Sequence, residues 1–377
     1  MKITIATSGR AHLLDCAREL QKCGHDVTFY TYSPKSTLKR FGLIYGGKSL
    51  LYYVAPFEFL RRKLKTAFLY KLSIYVLDLL VCMLMKECDV FICQSPYYTR
   101  CMKKAKSKFG AIVILDRGTS HVKYFNRILS KIGIKEQSSK YINMDETQYS
   151  LADYITIASD FVSHSFEEYG VSDNKLFINP YGVSLENFYP MKCTNEFDFI
   201  CVGQWSLRKG SNLVVEAFKN TNVRVLHVGS IIDVDFPIAD NFVHIDSVPE
   251  LELVKYYMRS RFFLFPSFED GFGLVLCQAL ACGLPIVCSK HTGGPTLLKL
   301  LNLGGEIYLM DSVTSIDIKK GLTIMTKRYG CNGERIKINR RELEEKLSWN
   351  AYGKRYNDFL KNLNVCDNDY QDDYCEY

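Results

Sequence analysis

Residues 266–273 form an acidic loop with two glycines that could hold an anionic ligand next to a carboxylate. An apolar run precedes the loop at 262–265, and an apolar helical pattern closed by Gly283 and Pro285 follows it. This order predicts the strand, loop and helix of one βαβ unit in a parallel sheet. Backbone N–H groups and the helix dipole favour an anion at such a helix N-terminus, and Asp270 stands at its edge.

The residues alone leave two interpretations of Asp270 open. Its side chain could contact a ligand in the loop, or it could cap the following helix, which is a common position for Asp. Gln278 lies about two turns along a helix that begins near Gly271. It could therefore reach the same ligand, or it could be a polar residue on a half-buried helix face.

The elements that must position these residues form two successive alternations of strands and helices. The first begins with a strand at 3–7 and a helix at 13–23. The second begins with a strand at 197–202, a polar loop at 203–210 and a helix at 211–218. Further strands are predicted at 26–32, 90–93, 111–115, 154–158, 223–228, 243–245 and 286–288. Short, nearly continuous apolar runs of this kind predict two doubly wound α/β halves with a cleft between them.

Length and composition suit two globular domains. The chain has 377 residues, of which 47% are hydrophobic and 24% charged, which excludes a disordered protein. The 14 cysteines contain no CxxC pair and no Cys/His cluster at zinc spacing, which predicts reduced thiols. The amino end has no signal-peptide pattern. The apolar run at 72–85 is too short to span a bilayer and predicts a buried helix.

Charge is distributed unevenly along the chain. Residues 1–180 carry 26 Lys and Arg against 16 Asp and Glu, and the excess is concentrated at 61–65 and 103–108. Such a surface could contact anionic lipid headgroups, a phosphorylated acceptor or nucleic acid. A solvated surface that keeps the protein soluble is the alternative.

Several segments of the second half resemble one family. Residues 199–203, followed by the Arg-Lys-Gly at 208–210, are similar to its strand and phosphate loop. Residues 266–273, together with 278–285, are similar to its E-x7-E element, and residues 179–183 to its interdomain segment. On these segments the chain resembles a GT-B glycosyltransferase of the retaining type called glycosyltransferase family 4 or group 1.

The first half also fits this resemblance, through Gly24-His25 before a strand and through residues 116–121. The family implies a GT-B fold, in which two Rossmann-like domains face each other across a cleft and C-terminal helices cross back to the first domain. Residues 1–181 would bind the acceptor and residues 182–348 the nucleotide-sugar donor. Residues 349–364 would form the returning helix, and residues 365–377 an acidic, flexible tail.

The resemblance also implies where the donor binds. The expected donor contacts are Gly203, Gln204, Arg208, Lys209, Gly271, Phe272, Gly273, Leu274 and Gln278. Two positions depart from the family pattern: its acidic pair is Asp270 and Gln278 here, and its basic residue after the loop glycine is Gln204. A glutamine can hydrogen-bond a ribose diol but brings no charge. Either donor affinity is weaker as a result, or Arg208 supplies the cation.

Glycosyl transfer from a nucleotide sugar leaves negative charge on a diphosphate while the sugar becomes positively charged. Fixed cations are needed at the diphosphate, and by resemblance Arg208 and Lys209 take this place while Asp270 offsets the forming positive charge. A solvated loop lysine is the other interpretation of Lys209. Because cationic side chains can replace a metal at the diphosphate, neither a metal nor another cofactor is expected.

The first half supplies the other candidates. His121 follows a strand and an Arg-Gly turn, so it is expected to project from the strand's carboxyl end towards the cleft. The resemblance implies that it contacts the donor sugar near the reacting carbon. The alternative is a loop histidine hydrogen-bonded by backbone. Gly9, Arg10, His12 and Arg117 are further candidates, for acceptor binding.

These expectations combine into a metal-independent, retaining hexosyltransferase of the cytoplasm that uses a UDP- or GDP-sugar. Its acceptor would be a glycan or a lipid-linked glycan of cell-surface polysaccharide or glycolipid biosynthesis. The basic first half would contact the inner face of a membrane, and no nucleic-acid partner is expected. One alternative is a catalytically weak GT-B subunit that binds nucleotide or glycan and supports a partner enzyme. Another is a nucleotide-sugar epimerase of the same fold.

Overall fold

The computed structural model describes residues 1–9, 12–64, 67–191, 194–330 and 334–369. Arg10 and residues 370–377 of the expected tail lie outside these ranges, as do the side chains of the basic run at 61–65. What the sequence suggests for these positions stays a prediction.

The described residues form two sheets in which all strand pairs are parallel. The first sheet contains β1 (Lys2–Ala6), β2 (Asp26–Thr31), β3 (Gly47–Ser49), β4 (Val90–Gln94), β5 (Ile112–Asp116), β6 (Tyr154–Ile157) and β7 (Leu176–Ile178). The second contains β8 (Phe197–Val202), β9 (Val225–Val228), β10 (Phe242–Ile245), β11 (Ser260–Phe265), β12 (Ile286–Ser289) and β13 (Ile307–Met310). Their spatial orders are β3-β2-β1-β4-β5-β6-β7 and β10-β9-β8-β11-β12-β13.

Helices connect these strands and close the chain. In the first half they are α1 (Leu13–Lys22), α2 (Lys35–Arg40), α3 (Leu51–Leu64), α4 (Ala67–Leu84), α5 (Thr99–Phe109), α6 (Val122–Lys131), α7 (Ser139–Leu151) and α8 (Asp160–Glu167). In the second half they are α9 (Ser211–Phe218), α10 (Glu250–Met258), α11 (Leu274–Ala281), α12 (Gly294–Leu300), α13 (Ser315–Tyr329), α14 (Arg340–Leu347) and α15 (Trp349–Asp369). Short 3-10 turns span Asp173–Lys175 and Leu207–Lys209.

Each sheet reverses its strand order beside its first strand, between β1 and β4 and between β8 and β11. At such a switch point the loops on the carboxyl side diverge and leave a crevice. The central strands are continuous apolar runs because both of their faces are covered; Val90, Phe91 and Ile92, for example, are fully buried. The two predicted doubly wound α/β halves are confirmed.

Helix α15 returns to the first half of the chain. Phe359 stacks on Phe177 with 4.0 Å between ring centroids, and the hydroxyl of Tyr356 lies 3.1 Å from that of Thr156 in β6. The predicted crossing of the C-terminal helices to the first half is confirmed. The helix extends to Asp369, into the segment that was expected to be a flexible tail. The division of the chain into domains at residues 181 and 348 stays a prediction.

The expectation that the apolar run at 72–85 forms a buried helix is partly wrong. Within α4, Leu77 is buried, but Tyr75, Leu79 and Met83 are 50%, 40% and 70% exposed. These three residues follow one another at intervals of four and so share one helix face. A helix that is apolar all round does not reveal from its sequence which face its neighbours cover. Among the described residues, no helix has both the length and the apolar character needed to cross a membrane.

Candidate active site

The loops after β8 and β11 lie against each other at the switch point of the second sheet. Gly210 has φ +72°, and a Cβ added there would stand 2.2 Å from the carbonyl oxygen of Pro266. The amide of Phe268 donates to the carbonyl of Arg208 at 2.9 Å. Only glycine allows this conformation and this approach together. The two loops are thereby held side by side, which brings residues 208 and 209 next to residues 269 and 270.

Lys209 and Asp270 form an ion pair across the two loops. Their side chains are 14% and 19% exposed, so the pair is largely desolvated but open at one edge. The Lys209 ammonium also lies 4.8 Å from the ring centroid of Phe265. Burial acts to raise the pKa of Asp270, but Lys209 and Arg208 outweigh it and the pKa lies below its usual value. The carboxylate is therefore ionised at neutral pH.

Asp270 does not cap the helix that follows it. Helix α11 begins at Leu274, and the N-cap position is Gly273, with φ +82°. Oδ1 of Asp270 instead accepts the amide of Phe272 at 3.1 Å and closes a local turn. The first turn of α11 has no side-chain cap, so its N–H groups are directed at the loop, where they favour an anion.

Gln278 is nearer to the start of its helix than expected, because α11 begins at Leu274 and not near Gly271. Its Oε1 accepts a hydrogen bond from the hydroxyl of Tyr257 at 3.0 Å. Gln278 and Leu274 line a cavity of about 290 Å³ that also touches His12 of the first half. The side chain therefore faces the space between the two sheets, as a ligand role requires.

Glu269, which was not among the predicted site residues, connects the two halves. Glu269 is fully buried, and its Oε1 accepts both the amide and the hydroxyl of Ser120, at 3.0 and 3.1 Å. Its Oε2 accepts Nη1 of Arg208 at 3.1 Å, and the same Nη1 donates to the Glu269 carbonyl at 2.8 Å. Arg208 is therefore held by Glu269 while Lys209 is held by Asp270.

Gly271 is the point of closest approach between the halves. A Cβ added to it would lie 2.1 Å from the carbonyl oxygen of Gly118 and 3.1 Å from the Cα of Thr119. Its carbonyl accepts the hydroxyl of Ser159 at 2.6 Å. The loop after β5 and the start of α8 thus form one wall opposite Asp270.

His12 and Asp116 form a second polar pair on the first half. Nε2 of His12 lies 2.9 Å from both carboxylate oxygens of Asp116, which is the last residue of β5. Because a carboxylate only accepts, Nε2 carries the proton. The ring of His12 lies 4.1 Å from that of Tyr181, which packs edge-on against Phe272 of the second half at 5.4 Å. Burial, followed by the charges of Asp116 and Asp270, raises the pKa of Tyr181, which remains a neutral phenol.

A pair of histidines supports the glycine that ends β8. Gly203 has φ +121°, and its carbonyl lies 2.9 Å from Nε2 of His227. The other ring nitrogen of His227, Nδ1, lies 2.9 Å from Nδ1 of His244. Burial lowers the pKa of His227 to about 4, so the ring is neutral, with its proton on Nε2. His244 must then donate from Nδ1. Gln204 follows this glycine and is exposed beside Lys209.

The expectation that His121 projects into the cleft is wrong. His121 is the N-cap of α6 and is 3% exposed, and its Nδ1 accepts the amide of Lys123 at 3.3 Å. Its ring stacks on Tyr169 at 4.6 Å and meets Phe166 edge-on at 5.1 Å. Burial, with Arg117 adding to it, lowers the pKa of His121 to about 4. The alternative, a loop histidine hydrogen-bonded by backbone, describes its position.

Arg117 is also turned away from the acceptor position expected for it. It is buried, and Nη1 donates to Asp145 at 2.9 Å and to the hydroxyl of Ser95 at 3.0 Å. Nη2 donates to the carbonyl of Ser120 at 3.2 Å. Arg117 therefore fixes the loop that holds Glu269. The carbonyl of Gly9 accepts the Thr31 hydroxyl at 3.0 Å, and Arg10 lies outside the described residues.

Glu269, Ser120, Asp116 and Tyr181 lie in segments on which the resemblance rests, but they were not among the predicted site residues. Acidic and hydroxyl side chains at the carboxyl ends of strands were the available signal. Their partners lie far away in the chain, so spacing alone does not identify them. Within the described residues, no three or more His, Cys, Asp or Glu side chains are grouped as a metal site requires, and the ten cysteines whose side chains are described are free thiols.

Part of the second half of the chain is similar to a known protein family. Residues 190–308 match the family model described as "Glycosyl transferases group 1", a range that contains both loops of the site. O-antigen chain mannosyltransferase B of Escherichia coli is 40% identical over 68 residues, 18% of this chain and 18% of that protein. Capsular polysaccharide biosynthesis glycosyltransferase CapM of Staphylococcus aureus is 25% identical over 215 residues, 52% of this chain and 53% of that protein. The matched part of each of these relatives is thus about half of its length or less.

Solved structures match over nearly the whole chain. Alr3699/HepE of Anabaena, crystallised in complex with UDP and glucose, has a TM-score of 0.68 at 13% identity. The match covers 96% of this chain and all of that one. A likeness at this identity concerns the fold alone.

Proposed function

We propose that the chain is a retaining hexosyltransferase, on the basis of its GT-B fold and of the match of residues 190–308 to the group 1 glycosyltransferase model. Its donor is a UDP- or GDP-sugar, and its acceptor is a glycan or a lipid-linked glycan. Membership of glycosyltransferase family 4 is part of this proposal, as is transfer without a metal or other cofactor.

The observation that carries the proposal is the Lys209–Asp270 ion pair at the switch point of the second sheet. Arg208 lies beside it, and the uncapped first turn of α11 points into the same space. These groups supply cations and N–H donors where a diphosphate leaving group gains charge. Asp270 supplies the anion that offsets positive charge on the sugar.

Lys209 and Arg208 are each paired with a carboxylate before any donor enters. A donor diphosphate would replace Asp270 as the partner of Lys209 and leave that carboxylate directed at the sugar. Arg208 remains bound to Glu269, so Lys209 provides the direct contact with the diphosphate. This assignment separates two cations that the sequence treats as equivalent.

On the opposite side of the cleft, His12 of the first half is placed to contact the reactants. It lines the same cavity as Gln278 and is oriented by Asp116. Because Nε2–H is donated to Asp116, Nδ1 of His12 remains as the hydrogen-bond acceptor that a reactant could use. His121 acts on the site only through the loop in which it lies.

Turnover of UDP- and GDP-sugars by the purified chain, with and without a glycan acceptor, tests the proposal. We expect Lys209→Ala and Asp270→Ala each to lower turnover about a hundredfold or more, because both act on charge that develops in the transition state. Lys219→Ala, at the exposed end of α9, is the matched control and should leave turnover unchanged. Unchanged turnover in both site variants would show that the site lies elsewhere. The anomeric configuration of the product, read by NMR, tests retention.

The second candidate function is a catalytically weak subunit that binds nucleotide or glycan and supports a partner enzyme. It is favoured by Gln278, an uncharged residue at the second acidic position, whose oxygen is engaged by Tyr257. Saturable binding of UDP or GDP without turnover across a panel of sugars and acceptors would favour it. Formation of a new sugar nucleotide without acceptor would instead identify an epimerase.

The biological setting is also a proposal. The relatives are described as an O-antigen mannosyltransferase and a capsular polysaccharide glycosyltransferase, which supports cell-surface polysaccharide biosynthesis. A cytoplasmic enzyme at the inner face of a membrane fits the basic first half. Flotation with vesicles of anionic lipid at low salt tests this, and absence of binding would remove the membrane from the proposal. A thermal-shift screen with UDP- and GDP-sugars identifies the donor.

A further inference from the structure

A second cavity lies in the first half, one strand away from the loop that contacts Gly271. It has a volume of about 560 Å³, which is ordinary for a small-molecule site. It opens at the carboxyl end of β4, where Tyr97 and Tyr98 precede α5, and α4 and the start of α7 complete it. Because β4 and β5 are paired, with Gln94 opposite Asp116, the cavity is adjacent to the loop at 117–120.

A short series of hydrogen bonds connects the cavity to the reaction site, which is the region around Lys209 and Asp270. The hydroxyl of Ser95, two residues before Tyr97 in the chain, donates to Asp145 at 2.5 Å and accepts Nη1 of Arg117 at 3.0 Å. Arg117 donates to the carbonyl of Ser120, and the amide of Ser120 donates to Glu269, the residue before Asp270. The cavity at the carboxyl end of β4 is therefore connected to the reaction site by hydrogen bonds through the loop that follows the neighbouring strand β5.

The wall of the cavity is mostly apolar. Ile74 and Tyr75 of α4 form one side, and Tyr141 and Met144 of α7 form another. A carbohydrate would require several convergent hydrogen-bonding groups, whereas this wall offers mainly ring and aliphatic surface. Such a wall suits a flexible hydrocarbon chain.

The charged groups at the cavity are mainly cationic. Asp78 is the carboxylate among the lining residues, and it is occupied by the amides of Arg100 and Cys101, each at 3.3 Å, and by the Arg100 guanidinium at 3.2 Å. Lys103 and Lys140 also line the cavity, and no described residue forms an ion pair with either ammonium. Two lysine ammonium groups beside an apolar cavity are suited to a phosphate.

The cavity continues onto an exposed apolar surface. Tyr75, which lines the cavity, is also the first residue of the face of α4 that carries Leu79 and Met83, all of them 40% or more exposed. Contiguous exposed apolar side chains of this kind mark binding surfaces. A hydrocarbon chain longer than the cavity could leave along this face.

We propose that the cavity binds an amphipathic anion, a hydrocarbon chain with a phosphate at its head, and that this is the lipid-phosphate end of the acceptor. The chain occupies the space between α4 and α7, and the phosphate lies between Lys103 and Lys140. The sugar end of the acceptor then extends past the loop at 117–120 towards Asp270. The role as acceptor rests on the proposed function, whereas binding of the amphiphile does not.

The probe is decyl phosphate below its critical micelle concentration, with decanol and inorganic phosphate as the separate parts. We expect calorimetry on the full chain to show decyl phosphate binding at least about tenfold more tightly than either part. Lys103→Glu combined with Lys140→Glu should weaken decyl phosphate by about tenfold or more, because both cations become anions. Lys108→Glu on the same helix α5 is the control and should bind as the wild type does.

Met144→Gln tests the apolar wall separately from charge, and an unchanged thermal unfolding curve confirms that a variant is folded. Met144→Gln should weaken binding of decyl phosphate and leave binding of inorganic phosphate unchanged. Equal affinity of the wild type and the lysine double variant for decyl phosphate would overturn the proposal, as would equal affinity for inorganic phosphate and decyl phosphate. Equal affinity of the two proteins would mean that decyl phosphate binds to another surface. Equal affinity for the two ligands would mean that the cavity recognises phosphate but not the hydrocarbon chain.

Donor turnover by the wild type is measured independently, which separates the two proposals. If the wild type turns over a nucleotide sugar but does not bind decyl phosphate, the cavity assignment fails and the proposed function stands. If it binds decyl phosphate and turns over no nucleotide sugar, the proposed function fails and the lipid-phosphate site stands.

Discussion

Glu269 in the second half accepts two hydrogen bonds from Ser120 in the first, from the amide at 3.0 Å and from the hydroxyl at 3.1 Å. Its other oxygen accepts a hydrogen bond from Arg208, so a single buried carboxylate connects the contact between the two halves to the charged loop of the site. The residue next to it, Asp270, faces the cleft. The contact that joins the halves and the group proposed for catalysis are therefore adjacent in the chain.

Glu269→Gln should destabilise the protein by about 3 kcal/mol, because it leaves Arg208 without its buried counter-charge. The NH₂ group of the new glutamine would also face a hydrogen-bond donor in either orientation, because Ser120 donates on one side and Arg208 on the other. Calorimetric unfolding measures the loss, and X-ray scattering measures whether the halves separate. Glu344→Gln, in an exposed pair with Arg340 on α14, is the control and should change stability by about 0.5 kcal/mol or less. Equal shifts in both variants would contradict a special role for Glu269.

Asp270→Asn should tighten binding of UDP or GDP while it lowers sugar transfer. The substitution keeps the shape of the side chain, removes the anion that competes with the diphosphate for Lys209, and removes the charge that offsets the forming cation. We expect a several-fold lower Kd for the nucleotide by calorimetry and a fall in transfer of about a hundredfold. Weaker nucleotide binding in Asp270→Asn would show that the carboxylate orders Lys209 for the phosphate and does not compete with it.

Gly210→Ala and Gly133→Ala form a matched pair. Their φ angles are +72° and +74°, but an added Cβ would meet the Pro266 carbonyl at 2.2 Å at Gly210 and nothing within 4 Å at Gly133. Backbone strain alone costs about 1 kcal/mol, so Gly133→Ala should lower the unfolding free energy by that amount. Gly210→Ala should cost clearly more and should also abolish nucleotide binding, because the two loops separate. Similar losses of stability, with binding intact, would argue against the loop contact.

The protein should lose stability as the pH falls from about 6.5 to about 4. Burial lowers the pKa of both His121 and His227 to about 4, so in this window the unfolded chain binds protons that the native chain does not. Each such histidine contributes a slope of up to about 1.4 kcal/mol per pH unit, with stability highest above the unfolded pKa.

Denaturant unfolding at several pH values measures this slope. His227→Phe removes one titrating group in an aromatic environment of Trp205 and Phe236, and should reduce the slope in the acid range. His164→Phe, at a largely exposed position on α8, is the control and should leave it as it is. An unchanged slope in His227→Phe would mean that His227 takes up its proton in the native state.

The strands and the two loops of the site were predictable because the information is local. Apolar runs between glycine and proline punctuation correspond to strands buried on both faces, and β8 was predicted with its observed bounds. The segments similar to the family's phosphate loop and E-x7-E element likewise predicted that the site lies at residues 208–210 and 266–273. The start of α11 was misplaced by a few residues because Gly271 and Gly273 both suit a turn.

Side-chain partners were decided by the tertiary structure. His121 follows a strand end as expected, but Tyr169 and Phe166 enclose its ring, and no local pattern records that packing. The exposed face of α4 arises in the same way, since an all-apolar helix does not specify which neighbours cover it.

Sequence alone determined the doubly wound halves and the pair of loops that meet at the N-terminus of α11. The tertiary structure decided that Lys209 pairs with Asp270 and that Glu269 binds Ser120, a residue 149 positions away. Secondary structure follows from the order of neighbouring residues, whereas electrostatic pairing depends on which distant loops packing brings within hydrogen-bonding reach.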